Sequence, residues 1–181
     1  MKSNKTVILL FAVFLFLSGC SAGTQEAPQA VKNLEKFKFI TIEHPNIQAP
    51  LFELVDDMEN KLTSNGLKGK VYIIQGFAPG CSSCAREIAT LNKVYNQFKE
   101  RGLEIISLDI VSEDISGALD TKERFNGGDW RWTIDSDNVA VKFGMSTLES
   151  TFIVDKEGII RYKDESLSDS ESLSQEIEKL I

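Results

Sequence analysis

The sequence predicts an α/β domain in which helices flank one central mixed sheet. Three observations lead there. Two apolar runs, VYIIQGF at 71–77 and LEIISLDI at 103–110, enclose an amphipathic helical stretch and so form a βαβ unit. Later, STFIVD and IIRY flank the turn KEG, the pattern of a β-hairpin. The chain then closes on a helix whose apolar stripe runs through Leu173, Ile177 and Leu180 or Ile181.

The N-terminus is read before the domain. Lys2 and Lys5 precede an unbroken apolar run of 11 residues, 7–17. A bilayer core of about 30 Å needs roughly 20 residues to cross, so this run fits the apolar region of a signal peptide instead. It ends in LSGC, which resembles the lipobox of prokaryotic lipoproteins, where cleavage precedes the cysteine and the cysteine carries the lipid. The expectation is a lipoprotein signal peptide at 1–19 and lipidation at Cys20. Residues 20–33 then form a small, polar, flexible tether, and the domain spans 34–181. The net charge of −7 grows more negative once Lys2 and Lys5 are lost. Such a surface repels phosphate backbones and excludes nucleic acid as a partner. Export matters more, because disulfides persist outside the cytoplasm.

FKFITIE (37–43) alternates apolar and polar residues, as a strand does, and APLFEL (49–54) reads as a second extended piece. A polar loop leads to GLKGK. VYIIQGF is almost continuously apolar, as expected of a strand buried on both faces. In the helix after it, Ile88, Leu91, Tyr95 and Phe98 form one stripe, and Gly102 stands where a helix ends. LEIISLDI is the next buried strand. A polar helical stretch runs to about Phe125, DWRWTID is a short strand and DNVAVKFG a short helix. Beyond the hairpin, SDSESLSQEIEKLI opens with a helix-capping pattern.

The chemistry lies in IIQGFAPGCSSCARE, where Cys81 and Cys84 stand two residues apart between strand and helix. A zinc site needs about four ligands, yet there is no second pair and the chain's one histidine is His44, so no metal is expected. A structural bridge over so small a loop removes little unfolded-state entropy. A redox pair fits better. Cys81 would sit where unpaired N–H groups and the helix dipole favour a thiolate, and Cys84, one turn further in, would resolve a mixed disulfide. The pair needs no cofactor beyond its own redox-active disulfide.

With APLFEL, LKGKVYIIQGFAPGCSSCAREIATLNKVYNQF and KFGMSTLESTFIVDKEG in order, the domain resembles the TlpA/ResA-like branch of the thioredoxin superfamily. Those proteins are membrane-tethered thiol-disulfide oxidoreductases outside the cytoplasm. The resemblance spans about residues 45–181 and implies a thioredoxin-like fold. It also implies substrate proteins with cysteines and a membrane electron donor. Cys81 becomes the nucleophile and Cys84 the resolving thiol. Glu87 matches a glutamate that tunes the thiols, against the plainer reading of a solvated surface residue. A peroxiredoxin motif read from Pro79 places Ser83 at its hydroxyl position but Arg86 at its cysteine position, so that reading fails.

Two departures stand out. Gly80 replaces the aromatic residue usual before the first cysteine, which opens the site. Glu149 stands where the family has a cis-proline facing the CxxC. A cis bond without proline costs about 2.5–4 kcal/mol, so a trans bond and a reshaped loop are expected. Gly80, Glu149 and Ser150 are then the residues expected to border the substrate groove. A carboxylate near Cys81 would oppose the thiolate and favour the reducing direction. The alternatives are an oxidant of protein thiols, or a binding module that kept the fold without the exchange. Trp130 and Trp132 share one strand face and read as packing residues before groove residues, and His44 reads as a surface residue.

Overall fold

The computed structural model describes residues 42–181. The expected signal peptide, Cys20, the tether and most of FKFITIE lie outside the described residues.

Six strands form the path of the main sheet, in the order β1 (Ile42–Glu43), β9 (Ile159–Asp164), β8 (Thr151–Val154), β5 (Tyr72–Phe77), β6 (Glu104–Asp109) and β7 (Arg131–Ile134). A seventh, β2 (Ile47–Gln48), also pairs with β9. β5, β6 and β7 run parallel, while β8 and β9 run antiparallel to their neighbours. The sheet is therefore mixed, as expected. The parallel connections carry helices α1 (Ser82–Phe98) and α2 (Ser116–Arg124). Helix α3 (Val139–Phe143) follows β7, and α4 (Ser170–Glu178) closes the chain.

Alternation along β5 builds two cores. Ile73 and Phe77 face α1, where they meet Ile88, Leu91, Val94, Phe98, Leu173 and Ile177. Tyr72 and Ile74 face the other layer, with Phe52, Leu54, Phe143 and Phe152. Burial on both faces explains why VYIIQGF shows no alternation in sequence. Trp130 and Trp132 are packing residues: their rings stack at 5.6 Å, and Trp132 meets Phe77 edge-on at 5.5 Å.

Three sequence expectations change. APLFEL joins a paired strand only at its end, in β3 (Glu53–Val55). The polar loop after it contains β4 (Lys61–Thr63), which pairs with β3 as a hairpin. Its strands are three residues long, with one buried side chain each, too short to show a period. In the α1 stripe Val94, not Tyr95, is the fully buried residue between Leu91 and Phe98; Tyr95 is half-buried and its hydroxyl donates to the Asp129 carbonyl at 2.9 Å.

Candidate active site

β5 delivers the chain to the site. After Phe77 the turn Ala78–Pro79–Gly80 closes through the Cys81 N–H, which donates to the Ala78 carbonyl at 3.2 Å. Gly80 takes a φ of 80°, a left-handed value natural to glycine, and is exposed. Cys81 caps the N-terminus of α1. Its Sγ accepts the Cys84 backbone N–H at 3.2 Å and lies 3.2 Å from the Ser83 hydroxyl. Sequence reasoning put Cys81 just ahead of the helix, and it stands there.

Cys81 and Cys84 are joined in a disulfide, with Cα atoms 5.3 Å apart. The pair is asymmetric. Cys81 is partly exposed, whereas Cys84 is fully buried in the α1-side core. Opposite it, the Leu148 carbonyl oxygen lies 4.0 Å from Cys84 Sγ.

Leu148 belongs to the loop ahead of β8, where the cis-proline is missing. All peptide bonds of the described residues are trans. The loop is held by its own hydrogen bonds instead. The Ser150 hydroxyl donates to the Thr147 carbonyl at 2.9 Å and accepts the Thr147 N–H at 3.3 Å, and the Thr147 hydroxyl donates to the Glu165 carbonyl at 2.9 Å. The Ser150 carbonyl accepts from Gly76 on β5 at 3.0 Å. Met145 passes so close over Gly76 that a β-carbon there would lie 3.1 Å from its Sδ. Ser150 is fully buried, so of the three expected groove residues only Gly80 and Glu149 reach the surface.

Glu87 is not a solvated surface residue. It is fully buried, one turn beyond Cys84 on the same helix face. Its Oε1 accepts from the Thr151 hydroxyl at 2.9 Å and its Oε2 from the Ser168 N–H at 2.9 Å. Burial pushes its pKa up to about 7, against the pull of those hydrogen bonds. Sequence reasoning missed Thr151, Ser168 and Leu148. None carries a motif of its own, because each acts through a backbone atom or a single hydroxyl.

Residues 45–163 match the AhpC/TSA family. The chain belongs to that family. Among its relatives, the thiol-disulfide oxidoreductase ResA of Bacillus thuringiensis subsp. konkukian is 28% identical over 99% of both chains. The thiol:disulfide interchange protein DsbE of Allochromatium vinosum is 32% identical over 74% of this chain and 73% of its own. Solved structures agree on the thioredoxin fold. The thioredoxin domain of a thiol-disulfide oxidoreductase from Bacteroides vulgatus superposes with a TM-score of 0.65 at 25% identity, over 74% of this chain and 95% of that one. A thiol:disulfide interchange protein from Chlorobium tepidum TLS does so with a TM-score of 0.65 at 17% identity, over 76% and 98%. The chemistry these relatives are named for is thiol-disulfide exchange, and this chain carries a CxxC pair, Cys81 and Cys84, joined as a disulfide. Arg86, at the position a peroxidatic cysteine would take, is an exposed residue of α1.

Proposed function

We propose that this protein reduces disulfides of other proteins outside the cytoplasm, held to a membrane by lipid on Cys20. The observation that carries the division of labour is the asymmetry of the pair: Cys81 is accessible and capped by an N–H, and Cys84 is buried. In the reduced protein the Cys81 thiolate attacks one sulfur of a substrate disulfide. The substrate's S–S bond breaks, and one sulfur leaves as a thiolate and takes up a proton. Cys84 then gives up its proton and attacks Cys81 Sγ. The mixed disulfide breaks, the second substrate thiol departs, and the Cys81–Cys84 disulfide remains. Two electrons and two protons have passed to the substrate, so a membrane electron donor must return two electrons for the next turn.

The reducing direction is supported by what surrounds Cys84. The Leu148 carbonyl oxygen at 4.0 Å opposes negative charge there, and so does Glu87, one turn along the helix, whenever it is ionised. Dithiols whose thiolates are poorly stabilised are the reducing ones. This support replaces the one expected from Glu149, whose half-buried side chain makes no hydrogen bond or ion pair among the described residues. Export is supported by the basic start, the apolar run and LSGC, and by the ResA and DsbE likeness.

The deciding measurement is the reduction potential, read by equilibrating the protein in thiol buffers and trapping free thiols by alkylation. A value near thioredoxin's, about −270 mV, is expected. A value near that of strong oxidants, about −120 mV, would reverse the assigned direction.

A further inference from the structure

A second buried carboxylate, Asp164, stands beside Glu87, and the exchange scheme above gives it no task. We propose that Asp164 is a positioning residue for the exchange reaction, which sets the protonation state of Glu87 and through it the reactivity of the cysteine pair. The proposal rests on the reading of Glu87 as a group that acts on the thiols.

Register places Asp164 there. It pairs directly with Thr151 across β8 and β9, and residues opposite each other in an antiparallel ladder project to the same face. Thr151 is the residue whose hydroxyl meets Glu87. Tyr162, two residues before Asp164 and on the same face, donates its hydroxyl to Asp164 Oδ2 at 3.2 Å. Asp164 Oδ1 accepts both the N–H and the hydroxyl of Ser166, at 3.0 and 3.1 Å. Asp164 is 3% exposed, and no cation pairs with it among the described residues.

The two carboxyls differ in what their partners permit. Three donors converge on Asp164, the arrangement that suits an acceptor-only carboxylate. Around Glu87 a proton can be accommodated. The Thr151 hydroxyl lies between Glu87 Oε1 at 2.9 Å and the Glu149 carbonyl at 3.4 Å. With Glu87 ionised, the hydroxyl donates to it. With Glu87 neutral, the acid donates to Thr151, whose own hydrogen turns to the Glu149 carbonyl. The Thr151 hydroxyl has a partner for its hydrogen in both states, and the second state ties Glu87 to the loop that opposes Cys84.

The surroundings single out Asp164 as the charge that biases this choice. Cys84 faces Glu87 from its own helix, Thr151 from β8, Tyr162 and Asp164 from β9, and Ser168 from the segment ahead of α4. Further out, Glu176 of α4 is matched by Lys179 and His44, and the His44 ring meets Tyr162 edge-on at 6.1 Å. Glu165 is matched by Lys163. Among the groups around Glu87, Asp164 is the buried carboxyl with no cation beside it, and a negative neighbour favours the neutral form of an acid.

The test follows the Glu87 side-chain carboxyl by 13C NMR in the oxidised protein as pH is raised, with Glu87→Gln assigning the signal. Asp164→Asn is expected to move its midpoint down by about one pH unit. If that variant does not fold, Asp164→Val is used, since a β-branched apolar side chain suits a buried strand, and the same shift is expected. An unmoved midpoint in a folded variant overturns the proposal. A second readout, the pH profile of Cys81 alkylation in the reduced protein, separates the two readings. In Asp164→Asn it should shift to higher pH, because Glu87 ionised earlier opposes the thiolate. If Glu87→Gln leaves that profile unchanged, Glu87 does not act on the thiols, and the part of the proposal that reaches the cysteines falls with it.

Discussion

At the scale of the residue, Glu87 is the costliest group in the site and also the most informative. An unfolded chain would release its proton near the ordinary value of 4.5, whereas the folded chain holds it to about 7. Between those values the native state binds more protons than the unfolded one, so stability falls as pH rises through the window and levels off above it. At about 1.36 kcal/mol per unit the full swing is about 3 kcal/mol. Glu87→Gln should therefore flatten the decline in melting temperature between about pH 5 and about pH 8, where wild type loses stability. An equal decline in the variant would assign it to another group. Half of this was legible in advance. The family likeness singled Glu87 out, while the stripe read through Tyr95 left its burial open; only with Val94 in the stripe does the spacing of Phe98, Val94 and Leu91 land on Glu87. What it could not announce was the pair of donors waiting there, because Thr151 and Ser168 come from segments 64 and 81 residues away.

The next scale is that of the element, and here the segment 144–150 is the one that departs from expectation. Sequence marked the missing proline at Glu149, but a substitution says only what a loop has lost. The replacement is a clasp in which Ser150 serves Thr147 twice while Thr147 reaches Glu165. Ser150→Ala would leave the Thr147 N–H without its partner, while the Thr147 carbonyl keeps the Ser150 N–H at 3.3 Å, at a cost of about 1–3 kcal/mol. Because Leu148 lies on that clasp and faces Cys84, the variant should raise KM for a protein disulfide while Cys81 alkylation proceeds at the wild-type rate. Steady-state kinetics beside a thiol-trapping assay would check both halves; a slowed alkylation would mean that the loop also shapes the thiol. The βαβ unit and the hairpin were readable because each element contains its own signal, a run, a stripe or a turn. The β3–β4 hairpin was not, since its three-residue strands acquire meaning only from the sheet edge they lie against.

For the whole molecule, the acidic sequence combines a proposed anchor with a domain that places its reactive sulfur at one end of a sheet. If lipid on Cys20 is the only attachment, Cys20→Ser should shift the protein from the membrane fraction to the soluble fraction, with insulin reduction in solution unchanged. Persistent membrane association would point to a second attachment. The two margins of the sheet add a final property. β9 is covered along its outer side by β1 and then β2. On the opposite margin, Asp56 bridges Thr133, and the Asp57 N–H donates to the Trp132 carbonyl at 2.8 Å. An open strand would collect any extended chain by backbone pairing regardless of whether it held a disulfide. Among the described residues β9 and this part of β7 keep few backbone groups open, so under the proposed function an extended substrate would be held there through its sulfur more than by strand pairing.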